Sequence, residues 1–267
     1  MDIGYRCYVV QPKTLKLAER MALAEKIYAQ AHAEVFLASD FDEFYKSVFE
    51  PHTIQTKIMV YQYNDEVIGY ATFQVCEVKK STGQFYVMMS EMCLKQHFCH
   101  HFARPAQFFL KEATKFLISH PAEKVYIVDT LVSPLIYKKT CRISHHIYPT
   151  YNKKMPSHLE EITQITAQKL HWNTYKEQDC LVRQVNWKVK KSYTLYDRAN
   201  DEHKEFYCKV VPNFAQGNGL VIIIPVTFFN ITISVIKAMY RYKNYLLEDC
   251  KTFFQNGFEV LSKRQHK

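Results

Sequence analysis

The N-terminal part of the chain shows one strand-like and two helix-like patterns of hydrophobic positions. Residues 3–11, IGYRCYVVQ, are rich in Tyr and Val and stop before Pro12, which predicts a strand. Apolar positions between residues 17 and 35 recur at spacings of three and four, which predicts an amphipathic helix. A shorter helix is predicted over residues 40–48, with Ser39 as its N-cap.

The middle of the chain alternates between apolar strands and helices. The predicted elements are strands at 57–63, 66–78, 84–94 and 124–132, and helices at 105–119 and 134–143. Asn64-Asp65 separates the first two strands and predicts a tight hairpin turn. The resulting order, β-α-α-β-β-β-α-β-α, indicates an α/β fold with a mixed central sheet and helices on both faces.

The second half predicts an α+β extension. The pattern favours a helix at 156–172, strands at 180–189 and 204–211, and a charged loop at 197–205. We therefore expect residues 1–150 to form the core and residues 151–267 to form an extension packed on it.

An apolar run near the C-terminus, residues 219–239, has two interpretations. It is long enough to approach a membrane span, but Pro225, Asn230 and neighbouring hydroxyl residues lower its hydrophobicity. We favour a buried strand at 220–224 followed by a helix at 228–247. The inner side of that helix would carry Phe229, Ile233, Ile236 and Tyr240. Membrane association of this run is the alternative.

Composition excludes several classes of site. With 267 residues, 48% of them hydrophobic, the chain can bury a full core. Its six glycines are not placed to form a dinucleotide fingerprint or a P-loop. The eight cysteines form no CxxC pair, and the His97, Cys99, His100, His101 cluster fits no standard zinc spacing. We predict no metal site and reduced cysteines.

Charge and the N-terminal residues bear on partners and location. The net charge of +9 lies wholly in the second half, where it would suit phosphates, nucleic acid or an anionic membrane. No nucleic-acid stacking motif accompanies it. The start, MDIGYRCYVV, lacks a basic segment followed by an apolar one, so we expect a cytoplasmic protein.

Three local features accompany the element order. The hairpin strand contains Glu66-Val67-Ile68-Gly69-Tyr70-Ala71, the strand 84–94 runs into a helix at Pro105, and the strand 124–132 precedes a helix containing Tyr137. Together they resemble the core of the GNAT superfamily of N-acetyltransferases over about residues 3–150. The resemblance implies a GNAT-like mixed sheet whose strands 84–94 and 124–132 splay apart at their C-terminal ends.

The segment after strand 84–94 is where such proteins hold the pyrophosphate of CoA, on a Q/R-x-x-G-x-G/A loop and a helix N-terminus. Here the best match puts His100 at the Arg position and Ala103 and Pro105 at the two Gly positions. Side-chain charge would then replace part of the backbone contacts. The resemblance implies that acetyl-CoA or another acyl-CoA is bound by Cys93, Leu94, Lys95, His100, His101, Ala103 and Arg104.

Acyl transfer to an amine needs a base for the ammonium and an acid for the leaving thiolate. The resemblance points to Glu91, in the apolar strand, as the base and to Tyr137 as the acid, with Tyr126 and Tyr148 as competitors. We therefore expect an acyltransferase that moves an acetyl or longer acyl group from CoA to an amine. The alternative is a catalytically degenerate relative that acts as an interaction module or peripheral membrane binder.

Overall fold

A mixed sheet forms the centre of the protein in the computed structural model, which describes residues 4–37, 39–80, 83–95, 97–98, 103–172, 174–176, 179–185, 188–190, 201–237 and 240. The strands are β1 Tyr5–Val10, β2 Phe36–Leu37, β3 Gln55–Tyr63, β4 Glu66–Lys80, β5 Gly83–Met89, β6 Met92–Leu94, β7 Val125–Leu131, β8 Thr174–Lys176, β9 Asp179–Gln184, β10 Lys188–Val189 and β11 Asn218–Pro225. The helices are α1 Leu17–Ile27, α2 Ala33–Val35, α3 Phe41–Val48, α4 Ala103–Ser119, α5 Pro134–Ile143, α6 Ser157–Lys169, α7 Glu202–Val210 and α8 at 228–237.

The main sheet has the order β1-β3-β4-β5-β7-β11-β9-β8, with β6 also pairing with β4. Its neighbours are antiparallel except β5 and β7, which are parallel. One face packs against α1, α3 and α6 and the other against α4, α5 and α7. The predicted α/β class, a mixed sheet with helices on both faces, is confirmed.

The predicted hairpin turn is present and has a simple conformational cause. Asn64 and Asp65 both have positive φ, at 49° and 66°, which is the backbone of a tight turn joining antiparallel strands. Asn and Asp tolerate this region better than other non-glycine residues. The turn joins β3 to β4, and their register shifts by one residue at Tyr61 and Gln62.

The predicted long strand 84–94 is divided at two polar residues, Ser90 and Glu91. Its two parts keep one register along β4, because Met89 lies opposite Gln74 and Met92 opposite Ala71. Between them the amide of Glu91 donates to the Thr72 hydroxyl, at 2.7 Å, instead of to a backbone carbonyl. The ladder is therefore interrupted only where Ser90 and Glu91 lie.

The parallel ladder between β5 and β7 ends early. It contains only three residue pairs, the last of them Met88 with Ile127. Beyond that point β5 and β6 stay on β4, whereas β7 continues along β11 as far as the pair Leu131 and Leu220. The expected separation of these two strands at their C-terminal ends is confirmed.

The second half continues the same sheet rather than building a separate one. Strands β8, β9 and β11 extend it beyond β7, and β11 lies between β7 and β9. The division at residue 150 stays a prediction. The strand predicted at 204–211 is wrong: this segment is α7, capped by the Asp201 side chain, which accepts from the amide of His203. Helical spacing of Tyr207 and Val211 against the sheet outweighs their strand propensity.

Two further expectations are corrected at helix ends and faces. Asp40, and not Ser39, caps α3, because its side chain accepts from the amides of Asp42 and Glu43. Residues 220–224 are buried in β11 as predicted. The predicted inner side of the next helix is wrong, since Phe229, Ile236 and Tyr240 are exposed. No helix in the described part of the chain is long and apolar enough to cross a membrane.

Gly69 allows β6 to approach β4 closely, and this generates a prediction. A Cβ built there would lie 2.4 Å from the backbone oxygen of Cys93 and 3.0 Å from the Cα of Leu94. Backbone atoms cannot move aside as a flexible side chain can, so Gly69→Ala is expected to lower the free energy of unfolding by about 1–3 kcal/mol. Urea unfolding followed by circular dichroism measures this, and an unchanged midpoint would contradict it.

Candidate functional site

A small cavity lies where β5 and β7 part. Its volume is about 90 Å³, enough for several waters or a small polar group. The residues that line it are Phe36, Tyr70, Ser90, Glu91, Met92, Asp129, Thr130, Leu131, Val132, Ile136, Arg183 and Val185. Ser90, Glu91, Asp129 and Thr130 come from the two strands that part here, and Arg183 of β9 and Phe36 of β2 also line the cavity.

Glu91 is the carboxylate with the fewest direct contacts in this cavity. Its side chain is partly buried and accepts one long hydrogen bond, 3.4 Å from the Ser47 hydroxyl on α3. Burial raises the pKa of Glu91 to about 7; the Arg183 guanidinium opposes this shift and Asp129 adds to it. A carboxyl group with a pKa near neutrality can take up and release a proton under ordinary conditions.

Asp129 is held more firmly than Glu91. One carboxylate oxygen accepts from the Ser90 hydroxyl at 2.8 Å, and the other accepts from the amide of Thr130 at 2.8 Å. Burial raises the pKa of Asp129 to about 6, while these hydrogen bonds and Arg183 oppose the shift. The bond from Ser90 also ties the diverging strands together at the mouth of the splay. The carboxyl group of Asp129 is therefore fixed in place by two hydrogen bonds.

Arg183 supplies the positive charge of the cavity. It lies on β9 opposite Gly219 of β11, and its guanidinium stacks over the Trp172 ring at 4.5 Å. Its closest polar contact is a long hydrogen bond to the Thr130 hydroxyl, at 3.4 Å. Burial lowers the pKa of Arg183, and both carboxylates of the cavity counteract that effect. The cavity thus combines a cation and two carboxyl groups with apolar walls.

Tyr137, the predicted acid, lies away from this cavity. Its side chain is fully buried in the cluster between the sheet and α5 and α7. Its hydroxyl donates to the carbonyl of Pro149 at 2.9 Å. Burial raises the pKa of Tyr137 far above its ordinary value. Nothing in this geometry gives Tyr137 access to a substrate at Glu91.

The residues expected to bind CoA have varied positions. Cys93 and Leu94 pair with Tyr70 and Gly69 on β4, and the Cys93 thiol lies 3.5 Å from the Ala31 carbonyl. Ala103 begins α4, and its side chain lies outside the described part of the chain, as do His100 and His101.

Lys95 and Arg104, the expected phosphate ligands, are in different situations. The Lys95 ammonium pairs with the carboxylates of Glu34, at 2.7 Å, and of Glu66, and its amide donates to the carbonyl of Ile68. Its charge is therefore compensated within the protein. The exposed Arg104 guanidinium lies over the ring of Tyr5 at 4.2 Å, at the N-terminal end of α4.

The sequence analysis singled out Glu91, which lines this cavity, but not Asp129 or Arg183, which line it too. Asp129 carries the same signal as Glu91, an acidic residue inside an apolar strand, and could have been found by the same reasoning. Arg183 carries no such signal, because its position beside the cavity depends on the insertion of β11 between β7 and β9.

Comparison with known proteins gives distant structural likenesses only. No family model and no curated protein matches the chain. An N-acyl amino acid synthase from uncultured soil microbes, FeeM, is similar at a TM-score of 0.36 and 10% identity, over 54% of this chain and 81% of that one. NAA60 of Arabidopsis thaliana, in complex with a bisubstrate analogue, is similar at a TM-score of 0.35 and 8% identity, over 83% of this chain and 100% of that one. The putative acetyltransferase yncA of Salmonella typhimurium, with acetyl-CoA, is similar at a TM-score of 0.30 and 12% identity, over 83% of this chain and 95% of that one. At these values the likeness assigns no activity to this chain.

The raised pKa of Glu91 generates a prediction about stability. Its folded pKa, about 7, exceeds the ordinary carboxyl value of 4.5, so between these values the folded state holds a proton that the unfolded state has lost. The free energy of unfolding therefore falls as pH rises through this window. The side chain introduced by Glu91→Gln cannot ionise. The free energy of unfolding of this variant should therefore rise by about 1–3 kcal/mol relative to that of the parent protein between pH 4.5 and 8.

Thermal unfolding of both proteins at a series of pH values measures this difference. It should be small at the acid end, grow through the window and level off above it. A difference that stays constant with pH would show that Glu91 ionises as an ordinary carboxyl group.

Proposed function

We propose that this protein is an acyltransferase that moves an acyl group from an acyl-CoA thioester to an amine. The observation that carries the proposal is Glu91, a carboxyl group with a pKa of about 7, in a cavity at the splay of two parallel strands. The resemblance to GNAT proteins noted in the sequence supports the same reaction class.

In the proposed reaction Glu91 acts as the general base. The substrate amine enters as an ammonium, and the Glu91 carboxylate removes one proton from it, directly or through a water. The nitrogen lone pair attacks the thioester carbon, a C–N bond forms and the C–S bond breaks. The second proton of the nitrogen is released as the amide forms, and the CoA thiolate takes up one proton.

The other polar groups of the cavity would bind the ammonium of the substrate and keep the two strands in place. Asp129, held by Ser90 and Thr130, would favour an ammonium by its charge and would keep the mouth of the splay in place. Tyr70 also lines the cavity, and its hydroxyl is hydrogen-bonded to His32 at 2.8 Å. Burial raises the pKa of Tyr70 well above its ordinary value, so its proton would stay on during the reaction. Tyr137 has no part in this scheme.

We place the phosphates of the CoA substrate near the N-terminus of α4. The helix end favours anions, and Arg104 brings an exposed cation to it. Lys95 would contribute little, because Glu34 and Glu66 already neutralise its charge. The roles of His100, His101 and Ala103 stay predictions from the sequence.

A second candidate is a catalytically degenerate protein that binds a partner or a membrane surface. It is favoured by α8, which exposes Phe228, Phe229 and Ile236 beside Lys237. It is also favoured by the ion-paired state of Lys95, which removes one expected phosphate ligand. Under this alternative Glu91 would be a buried structural carboxyl group without a reaction to catalyse.

Release of free CoA thiol in the presence of amines tests the proposal. With acetyl-CoA or a longer-chain acyl-CoA and a panel of primary amines, kcat/KM should rise with pH through about 7, as Glu91 loses its proton. Glu91→Gln should lower kcat by about 10²- to 10⁴-fold, the usual contribution of a general base. The matched control is Glu77→Gln, a partly buried glutamate on β4 outside the cavity, which should retain activity.

The second candidate predicts a different result. No thiol release with any acyl-CoA and amine, together with binding to anionic vesicles that is lost on replacing Phe229 and Ile236 by Ser, would contradict the enzyme and support the membrane binder. Amine-dependent thiol release that Glu91→Gln leaves unchanged would contradict the role given to Glu91.

A further inference from the structure

Arg183 differs from Arg20 and Arg142, two arginines that the structure shows paired with carboxylates. Arg20 also lies over an aromatic ring, that of Tyr45 at 5.8 Å, but its guanidinium is paired with Glu50 at 2.6 Å. Arg142 is paired with Asp201 at 2.8 Å. Within the described residues no carboxylate oxygen lies within 4.0 Å of the Arg183 guanidinium, although two carboxylates share its cavity.

The hydrogen-bonding capacity of Arg183 is largely unused. A guanidinium has five N–H donors in a planar fork. In the described structure one of its terminal nitrogens makes the long bond to Thr130, and its Nε is buried without a hydrogen-bond partner. Burying a charge without hydrogen-bond partners is costly. A ligand that accepts hydrogen bonds from Arg183 would supply the partners that the protein does not.

The placement of Arg183 beside Glu91 limits what that ligand is. Both side chains line one cavity of about 90 Å³. The proposed base takes a proton from an amine, and a guanidinium fork binds a carboxylate through two parallel hydrogen bonds. We propose that the acceptor of the acyl group is an α-amino acid or a closely similar amino carboxylate, whose carboxylate is bound by Arg183 while its amine faces Glu91. This inference rests on the proposed function and names its substrate class.

Charge favours a carboxylate over a phosphate at Arg183. Glu91 and Asp129 already bring up to two negative charges to this cavity, so a dianionic phosphate would meet more repulsion than a single carboxylate. The remaining walls, formed by Leu131, Val132 and Ile136, are apolar and suit a hydrocarbon side chain next to the amino carboxylate head.

A paired-substrate assay isolates the contact with Arg183. Each amino acid of a panel is compared with its own carboxamide, which keeps the amine but has no negative charge. Acid and amide differ in amine basicity, so the ratio of kcat/KM for acid over amide is compared between proteins. In Arg183→Met this ratio should be about 10- to 100-fold lower than in the parent protein, the usual worth of a charge-assisted pair. Any change that the substitution causes at Glu91 affects both substrates and cancels in the ratio.

Two further variants test whether a lower ratio reflects the contact with Arg183 and not a loss of folding. Arg183→Lys keeps the charge but not the fork, so its ratio should lie between those of the parent and Arg183→Met. The control is Arg20→Met, which removes an arginine that also stacks on a ring but lies outside the cavity; its ratio should equal that of the parent.

A binding measurement separates this inference from the acyl transfer itself. N-acetyl amino acids, which carry the amide and the carboxylate of the product, should raise the melting temperature of the parent protein, while their carboxamides should not. Arg183→Met should abolish the rise. If this pattern is found in a protein that transfers no acyl group, the amino carboxylate site stands and the proposed reaction fails.

Three results would overturn the inference. One is acyl transfer with an acid-to-amide ratio that is equal in the parent and in both Arg183 variants. Another is a fall of this ratio in Arg20→Met as large as that in Arg183→Met. The third is that inorganic phosphate binds at Arg183 and N-acetyl amino acids do not. Phosphate would then raise the melting temperature of the parent protein but not of Arg183→Met, and N-acetyl amino acids would leave it unchanged in both.

Discussion

The early end of the ladder between β5 and β7 is the constraint on which the candidate site depends. Parallel strands that stayed paired beyond Met88 and Ile127 would fill this space with backbone hydrogen bonds. Because they diverge, Ser90 and Glu91 on one strand and Asp129 and Thr130 on the other line a cavity instead. The Ser90–Asp129 hydrogen bond replaces the missing backbone contact.

The second consequence of the splay is an electrostatic one. Two carboxyl groups and one guanidinium are brought into a partly buried cavity without a direct ion pair among the described residues. Elsewhere the protein neutralises its buried charges by contact, as in the pairs of Lys138 with Asp201 and of Lys57 with Glu112. The cavity is an exception to this pattern. Proteins commonly accept such a cost where a site must bind a ligand or move a proton.

The sequence predicted the main elements as far as residue 172, because these depend on local periodicity and on turn residues such as Asn64 and Asp65. The separation of the two strands was expected from the family resemblance and not from periodicity. It also predicted an unusual role for Glu91, since an acidic residue in an apolar strand must be explained. It did not predict the state of Lys95, because Glu34 and Glu66 are distant in the chain and meet it only in the fold. For the same reason it assigned Tyr137 to a site, whereas the carbonyl of Pro149 accepts from its hydroxyl in the core.

Direct titration of Glu91 tests the central claim most closely. The side-chain carboxyl carbons of glutamate, labelled with ¹³C and followed by NMR across pH 3–9, would give a separate curve for each residue, and Glu91→Gln would assign the one that disappears. The structure predicts a midpoint for Glu91 of about 7, raised by its burial between the diverging strands. A midpoint near 4, the value of an exposed glutamate, would mean that the carboxyl group is solvated and that the cavity does not prepare it as a base.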